Sequence, residues 1–145
     1  WRKSTLDDYN TVASDIGIYN VTEASDTLKA CIYMMAHYEG QVMDISKING
    51  DETNVEDEIT KDIGKTGVNL SGNLIDVGLY YLCIDVPFIV KYTDGYVLVT
   101  SFNASAVRYI DPLQEEDIKV DREEFEANMA AEGNVMYSYV PGYNK

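Results

Sequence analysis

Apolar and polar positions recur along this chain with two different periods, and the period changes at Pro87. Before it the spacing is helical. Leu28, Cys31, Ile32, Met35 and Tyr38 fall three and four residues apart on one face. Ala30, Met34 and Ala36 widen that face until only Lys29, His37 and Glu39 look wet, so the stretch from Ser25 to Glu39 is expected to be a helix buried on most sides. Ser25 or Asp26 is placed to cap its start, and Gly40 to stop it.

Other elements follow the same logic. Leu6, Tyr9 and Val12 predict one side of a short helix, and Ile16, Ile18 and Val21 an extended run into the core helix. Residues 42–48 suggest one or two helical turns. Asn54 starts a further helix with Val55, Ile59 and Ile63 one turn apart, ended by Gly64. The acidic stretch 49–58 does not supply calcium ligands at alternate positions and lacks the turn glycine. Thr66 to Leu70 reads as an edge strand. Ser71 or Asn73 opens a helix burying Leu74, Ile75, Gly78, Leu79 and Leu82.

From Pro87 onward the period is two. Residues 87–92, 95–102 and 106–110 are rich in β-branched and aromatic side chains, and Thr93-Asp94-Gly95 and Asn103-Ala104-Ser105 sit between them as hairpin turns. Residues 117–120 make another strand. Asp121 with Glu124 three residues on is a capping box for a helix with Phe125 and Met129 inward, ended by Gly133. Residues 134–139 alternate as a closing strand. Helices first and an antiparallel sheet after predict an α+β domain. The organisation expected is an arm over residues 1–24, or a remnant of a preceding segment, and one domain over 25–145.

Composition narrows the function classes. With 25 acidic and 11 basic residues among 145, the formal charge is −14, which argues against nucleic acid or an anionic membrane surface as partner. No apolar run approaches the ~20 residues of a membrane span. The chain has no initiator Met and no signal peptide, which predicts a piece of something longer. Cys31 and Cys83 both lie in apolar helical patterns and are expected to be buried thiols, with a disulfide between them left open. Neither has a Cys or His neighbour at metal-ligand spacing, so no metal and no cofactor is expected.

Asp26-Thr27-Leu28-Lys29-Ala30-Cys31, followed by His37-Tyr38-Glu39-Gly40, resembles a segment of the bacteriocin-processing, papain-like cysteine peptidases (the C39-like group). There an Asp-Cys-Gly-x-Ala-Cys stretch opens a buried helix that ends in Tyr-x-Gly. Pro87-Phe88-Ile89-Val90, Gly95-Tyr96-Val97-Leu98-Val99, Asp111-Pro112 and Asp121-Arg122-Glu123-Glu124-Phe125 resemble the later motifs of that family in order and spacing. The resemblance covers roughly residues 25–139. It implies a papain-like fold, with N-terminal helices packed on a C-terminal antiparallel sheet.

It also implies what a working site would need: a thiolate at the helix start, a His to take its proton, an Asp to orient that His, and a Gln upstream as oxyanion donor. Thr27 stands at the nucleophile position and Gly95 at the histidine position, and no Gln lies in the twenty residues before Thr27. Of the constellation only Asp111 remains, and Asp-Pro also makes an ordinary turn. Cys31 lies one turn deeper. His37 points about 240° away from Cys31 round the same helix, at ~100° per residue, so the two cannot meet as nucleophile and base.

The expectation is therefore an inactive relative acting as a binding module of a larger bacterial protein, gripping an extended peptide or another protein segment. Thr27, Tyr96 and Asp111 are its candidate lining residues. Two other readings stay open: a cysteine or threonine peptidase of altered chemistry, and a structural spacer. An extracytoplasmic segment of a surface or membrane-anchored protein is the expected setting, with a cytoplasmic exporter domain as the alternative.

Overall fold

A computed structural model describes residues 16–140. The predicted core helix is α1 (Thr27–Tyr38), entered through a single 3-10 turn at Ala24–Asp26. Leu28, Ala30, Cys31, Ile32, Met34, Met35 and Ala36 are buried, His37 is exposed, and Gly40 takes the left-handed conformation (φ 89°) that stops the helix. The expected cap differs. Asp26 makes no side-chain cap bond, and its backbone is already helical rather than in the extended conformation a capping residue takes.

Next come α2 (Val55–Ile63), β1 (Thr66–Asn69), α3 (Gly78–Cys83), β2 (Phe88–Tyr92), β3 (Gly95–Phe102), β4 (Ala106–Asp111), β5 (Glu116–Asp121), α4 (Arg122–Ala131) and β6 (Met136–Val140). The stretch 42–48 contributes only a 3-10 turn, Ile45–Lys47, capped by the Asp44 carboxylate accepting from Ser46 N–H at 3.0 Å. In α2, Val55, Ile59 and Ile63 are buried as predicted, and Gly64 (φ 81°) ends it. The helix expected near Ser71 is shorter and starts later, as a 3-10 turn at Ile75–Val77 leading into α3. Leu74 therefore falls outside it and is 68% exposed, and Leu79 is only half-buried, while Tyr81 takes the core place.

The six strands form one antiparallel sheet in the order β1-β6-β2-β3-β4-β5. The strand expected to close the chain's meander thus lies inside the sheet, with β1 beyond it at the edge as expected. Partners across the strands share a face, and the two faces carry different helices. Phe88 and Tyr92 lie on one: a Cβ at Gly78 of α3 would overlap the Phe88 ring, and Tyr92 stacks on Phe125 of α4 at 4.5 Å between centroids. On the other face Tyr139 donates to Glu39 just past α1, at 2.6 Å. Asp121 caps α4 by accepting from Glu123 N–H at 3.1 Å.

From Ile16 on the arm packs against the rest of the chain. Ile16 is buried, Tyr19 packs on Tyr33 of α1 at 4.9 Å, and Val21 N–H and Asn20 Nδ2 both donate to the Pro112 carbonyl, at 3.0 and 2.8 Å. The short helix expected at Leu6, Tyr9 and Val12 lies outside the described residues. Neither cysteine is in a disulfide; Cys31 is buried, but Cys83, at the last residue of short α3, is exposed rather than buried. Among the described residues no helix is long and apolar enough to cross a membrane.

Candidate functional site

The residues singled out from sequence meet at one place. Thr27 from the start of α1, Gly95 and Tyr96 from the start of β3, and Asp111 from the end of β4 line a single cavity of about 190 Å³. Tyr92, Thr93, Asp94, Val97, Leu113 and Gln114 complete its walls. Two loops make it: the tight turn joining β2 to β3, with Thr93 at φ 47°, and the turn after β4.

Thr27 is fully buried. Its hydroxyl donates to the Ala24 carbonyl at 2.7 Å and accepts the Tyr96 amide at 2.8 Å. The Thr27 backbone N–H also points back to the Ala24 carbonyl, closing the 3-10 turn. Both donors of the residue are therefore turned inward, and its oxygen already holds an N–H. Gly95 is pressed against this group: a Cβ at position 95 would overlap Thr27 Oγ1 and sit 3.2 Å from both Thr27 Cβ and the Ala24 oxygen.

Asp111 serves its own turn. Oδ1 accepts Leu113 N–H at 2.9 Å and Oδ2 accepts the Gln114 side-chain amide at 3.0 Å. Tyr96 lines the cavity and is only 4% exposed, and its phenol is within reach of Glu52, Tyr137 and Cys31. Burial, and then the charge and hydrogen bond of Glu52, hold its phenol well above the usual value.

Cys31 lies one turn deeper and is wholly buried. Burial, seconded by the charge of Asp111, pushes its thiol well above the ordinary range, so the sulfur stays protonated at neutral pH. His37 is exposed and stacks on Tyr33 at 6.3 Å. Ten residues at ~1.5 Å each put it about 15 Å along α1 from Thr27. No described group of three or more His, Cys, Asp or Glu is arranged to hold a metal.

Sequence reading did not single out Ala24, Asp94, Leu113 or Gln114. The loop residues could have been suspected from their place beside Gly95 and Asp111. Ala24 acts through its carbonyl, which leaves no mark in side-chain chemistry.

No protein-family model and no curated protein matches the sequence. Solved structures do. The chain superposes on a candidate C39-like peptidase from Bacillus anthracis with a TM-score of 0.77 at 16% identity, over 94% of this chain and 100% of that one. It matches a double glycine motif protease of an AMS/PCAT transporter, solved in complex with a leader peptide, with a TM-score of 0.65 at 14% identity, over 90% and 98%. The peptidase domain of Streptococcus ComA, a bifunctional ABC transporter of a quorum-sensing pathway, gives 0.66 at 16%, over 88% and 99%. Helices and antiparallel sheet are thus arranged as in those domains, and the chain has the fold of the C39-like peptidases.

Proposed function

We propose that this chain is a non-catalytic C39-like domain that binds an extended polypeptide in the cleft between Thr27 and the Asp111 turn. The single observation that carries the reading is the inward engagement of Thr27: N–H and hydroxyl both donate to Ala24, and the oxygen accepts from Tyr96. A hydroxyl held so has neither a base to take its proton nor a free approach to a carbonyl carbon. Cys31 offers no substitute, since it is buried and protonated, and His37 stands at the wrong end of the helix.

An extended peptide is favoured as ligand because a neighbour of the same fold is known in complex with a leader peptide. Two of the neighbours named above come from transporters, which supports the exporter setting over an extracytoplasmic surface protein. The test is titration of the full chain with a library of extended peptides, followed by calorimetry and by mass spectrometry of the recovered peptide. Binding without cleavage, weakened at least tenfold by the cleft-filling substitution Gln114→Trp, is the expected result. Shortened peptide that no longer forms in Cys31→Ser or Thr27→Val would establish altered chemistry instead. Absence of any binding would leave a structural spacer.

A further inference from the structure

We propose that the cavity at Thr27 receives one basic side chain, of lysine or arginine, from the bound polypeptide; this rests on the peptide-binding reading above and assigns its chemistry. Size sets the first limit. At about 190 Å³ the cavity is smaller than the roughly 300–1,000 Å³ typical of small-ligand sites, and suits one long side chain.

Charge sets the second. Asp94 and Asp111 both line the cavity, and among the described residues no Lys, Arg or His does. Each oxygen of Asp111 holds one donor, from Leu113 and from Gln114, and a carboxylate oxygen can accept a second. The Leu113 N–H and one of the two Gln114 amide hydrogens are thereby spent on Asp111 and unavailable to an anion. The start of α1 would ordinarily favour a negative ligand. Here the amide and hydroxyl of Thr27 are turned onto the Ala24 carbonyl, so an anion would find two carboxylates and no donor from Thr27.

The walls fit the same occupant. Tyr92, Val97 and Leu113 offer apolar surface to a methylene stem, whose charged end would then meet carboxylate. A formal charge of −14 on the chain adds long-range attraction for a basic partner.

The experiment is an NMR titration of the full chain with acetyl-Ala-Gly-X-Gly-Ala-amide, X being Lys, Arg, norleucine or Glu, at 50 and 300 mM NaCl. The amides of Gly95, Tyr96 and Gln114 report. Lys and Arg peptides should bind at least tenfold more tightly than norleucine. That preference should fall below threefold in Asp94→Asn, in Asp111→Asn and at the higher salt; Asp94→Asn, on an exposed turn, guards against a folding failure of the other. Norleucine or Glu peptides binding as well as Lys, or a preference untouched by both substitutions, would overturn the charge assignment while leaving peptide binding in place. No response to any of the four peptides would overturn both.

Discussion

The hydroxyl of Thr27 fills the space that a side chain at position 95 would need. A Cβ there overlaps Thr27 Oγ1 and lies 3.2 Å from the Ala24 carbonyl oxygen, which is backbone and cannot swing aside. Glycine is required at 95 by the nearness of α1. Gly95→Ala should therefore destabilise by about 1–3 kcal/mol, the usual range for forcing a methyl into a packed place. Thr27→Ala should cost about as much, because it leaves the Tyr96 N–H buried without its acceptor. Urea unfolding of both single variants and the double variant checks the relationship. The double should be less destabilised than the sum, by ~0.5 kcal/mol or more, since the first substitution vacates the space the second needs. Additive costs would mean that the two residues do not share it.

Helical spacing gave α1 and α2 away, because a wide apolar face at three- and four-residue intervals has few other solutions, and alternation from Pro87 gave the strands. The meeting of Thr27, Gly95, Tyr96 and Asp111 was legible only through the order of short motifs, since they come from three separate elements. What stayed hidden depends on distance between backbones. Nothing in the sequence says that Ala24 turns its carbonyl onto Thr27, or that Gly95 is crowded rather than merely flexible. Leu74 misled because an apolar residue at helical spacing looks buried, yet α3 begins four residues later and leaves it in solvent.

Writing the chemistry back into the sequence should fail for the same reason. Thr27→Cys with Gly95→His supplies a thiol and an imidazole, but the histidine Cβ would overlap the atom at the γ position of residue 27. The pair cannot take up the hydrogen-bonded arrangement in which an imidazole lowers a thiol's pKa. No peptide hydrolysis above background is expected from the double variant, together with a fall in thermal midpoint relative to the parent. Turnover abolished by reverting either position would show that α1 and β3 separate more readily than the crowding implies.

The two cysteines should differ sharply toward a thiol reagent. Cys83 is exposed, whereas Cys31 is wholly buried and its thiol is pushed up by burial and by Asp111. In native protein at pH 7.5, a disulfide-exchange reagent such as dithiobis-nitrobenzoate should modify one thiol per chain promptly. The second should react only in denaturant, and Cys83→Ser should leave the native protein unreactive. Fast, saturable modification of Cys31 in the folded chain would instead mark an accessible, activated sulfur and would speak for altered chemistry.

Stability should fall between mildly acidic and mildly alkaline pH on account of one carboxyl on α2. Asp62 is 7% exposed, its Oδ2 has no hydrogen-bond partner, and it faces Glu58 one turn earlier. Burial, then the hydrogen bond and charge of Glu58, raise its pKa to about 7, and Lys61, 3.8 Å from Oδ1, offsets this only in part. Glu58 goes the other way: burial opposes its charge, but bonds from Asp62, from Asn49 N–H at 2.9 Å and from Lys61 outweigh burial and lower it. An unfolded aspartate titrates near ~3.9, so the folded chain binds the extra proton between there and 7. The contribution of Asp62 is whole below the unfolded pKa and is lost as pH rises through the folded one. Glu58 contributes with opposite sign and only at the acid end, so the difference between an Asp62 variant and the parent, followed from pH 5 to pH 8, isolates Asp62. Asp62→Asn keeps a donor for Glu58 and removes the titration. It should be more stable than the parent at pH 8, by roughly 1–3 kcal/mol in urea unfolding, with the gap closing toward pH 5. A gap that did not change with pH would place the shared proton elsewhere.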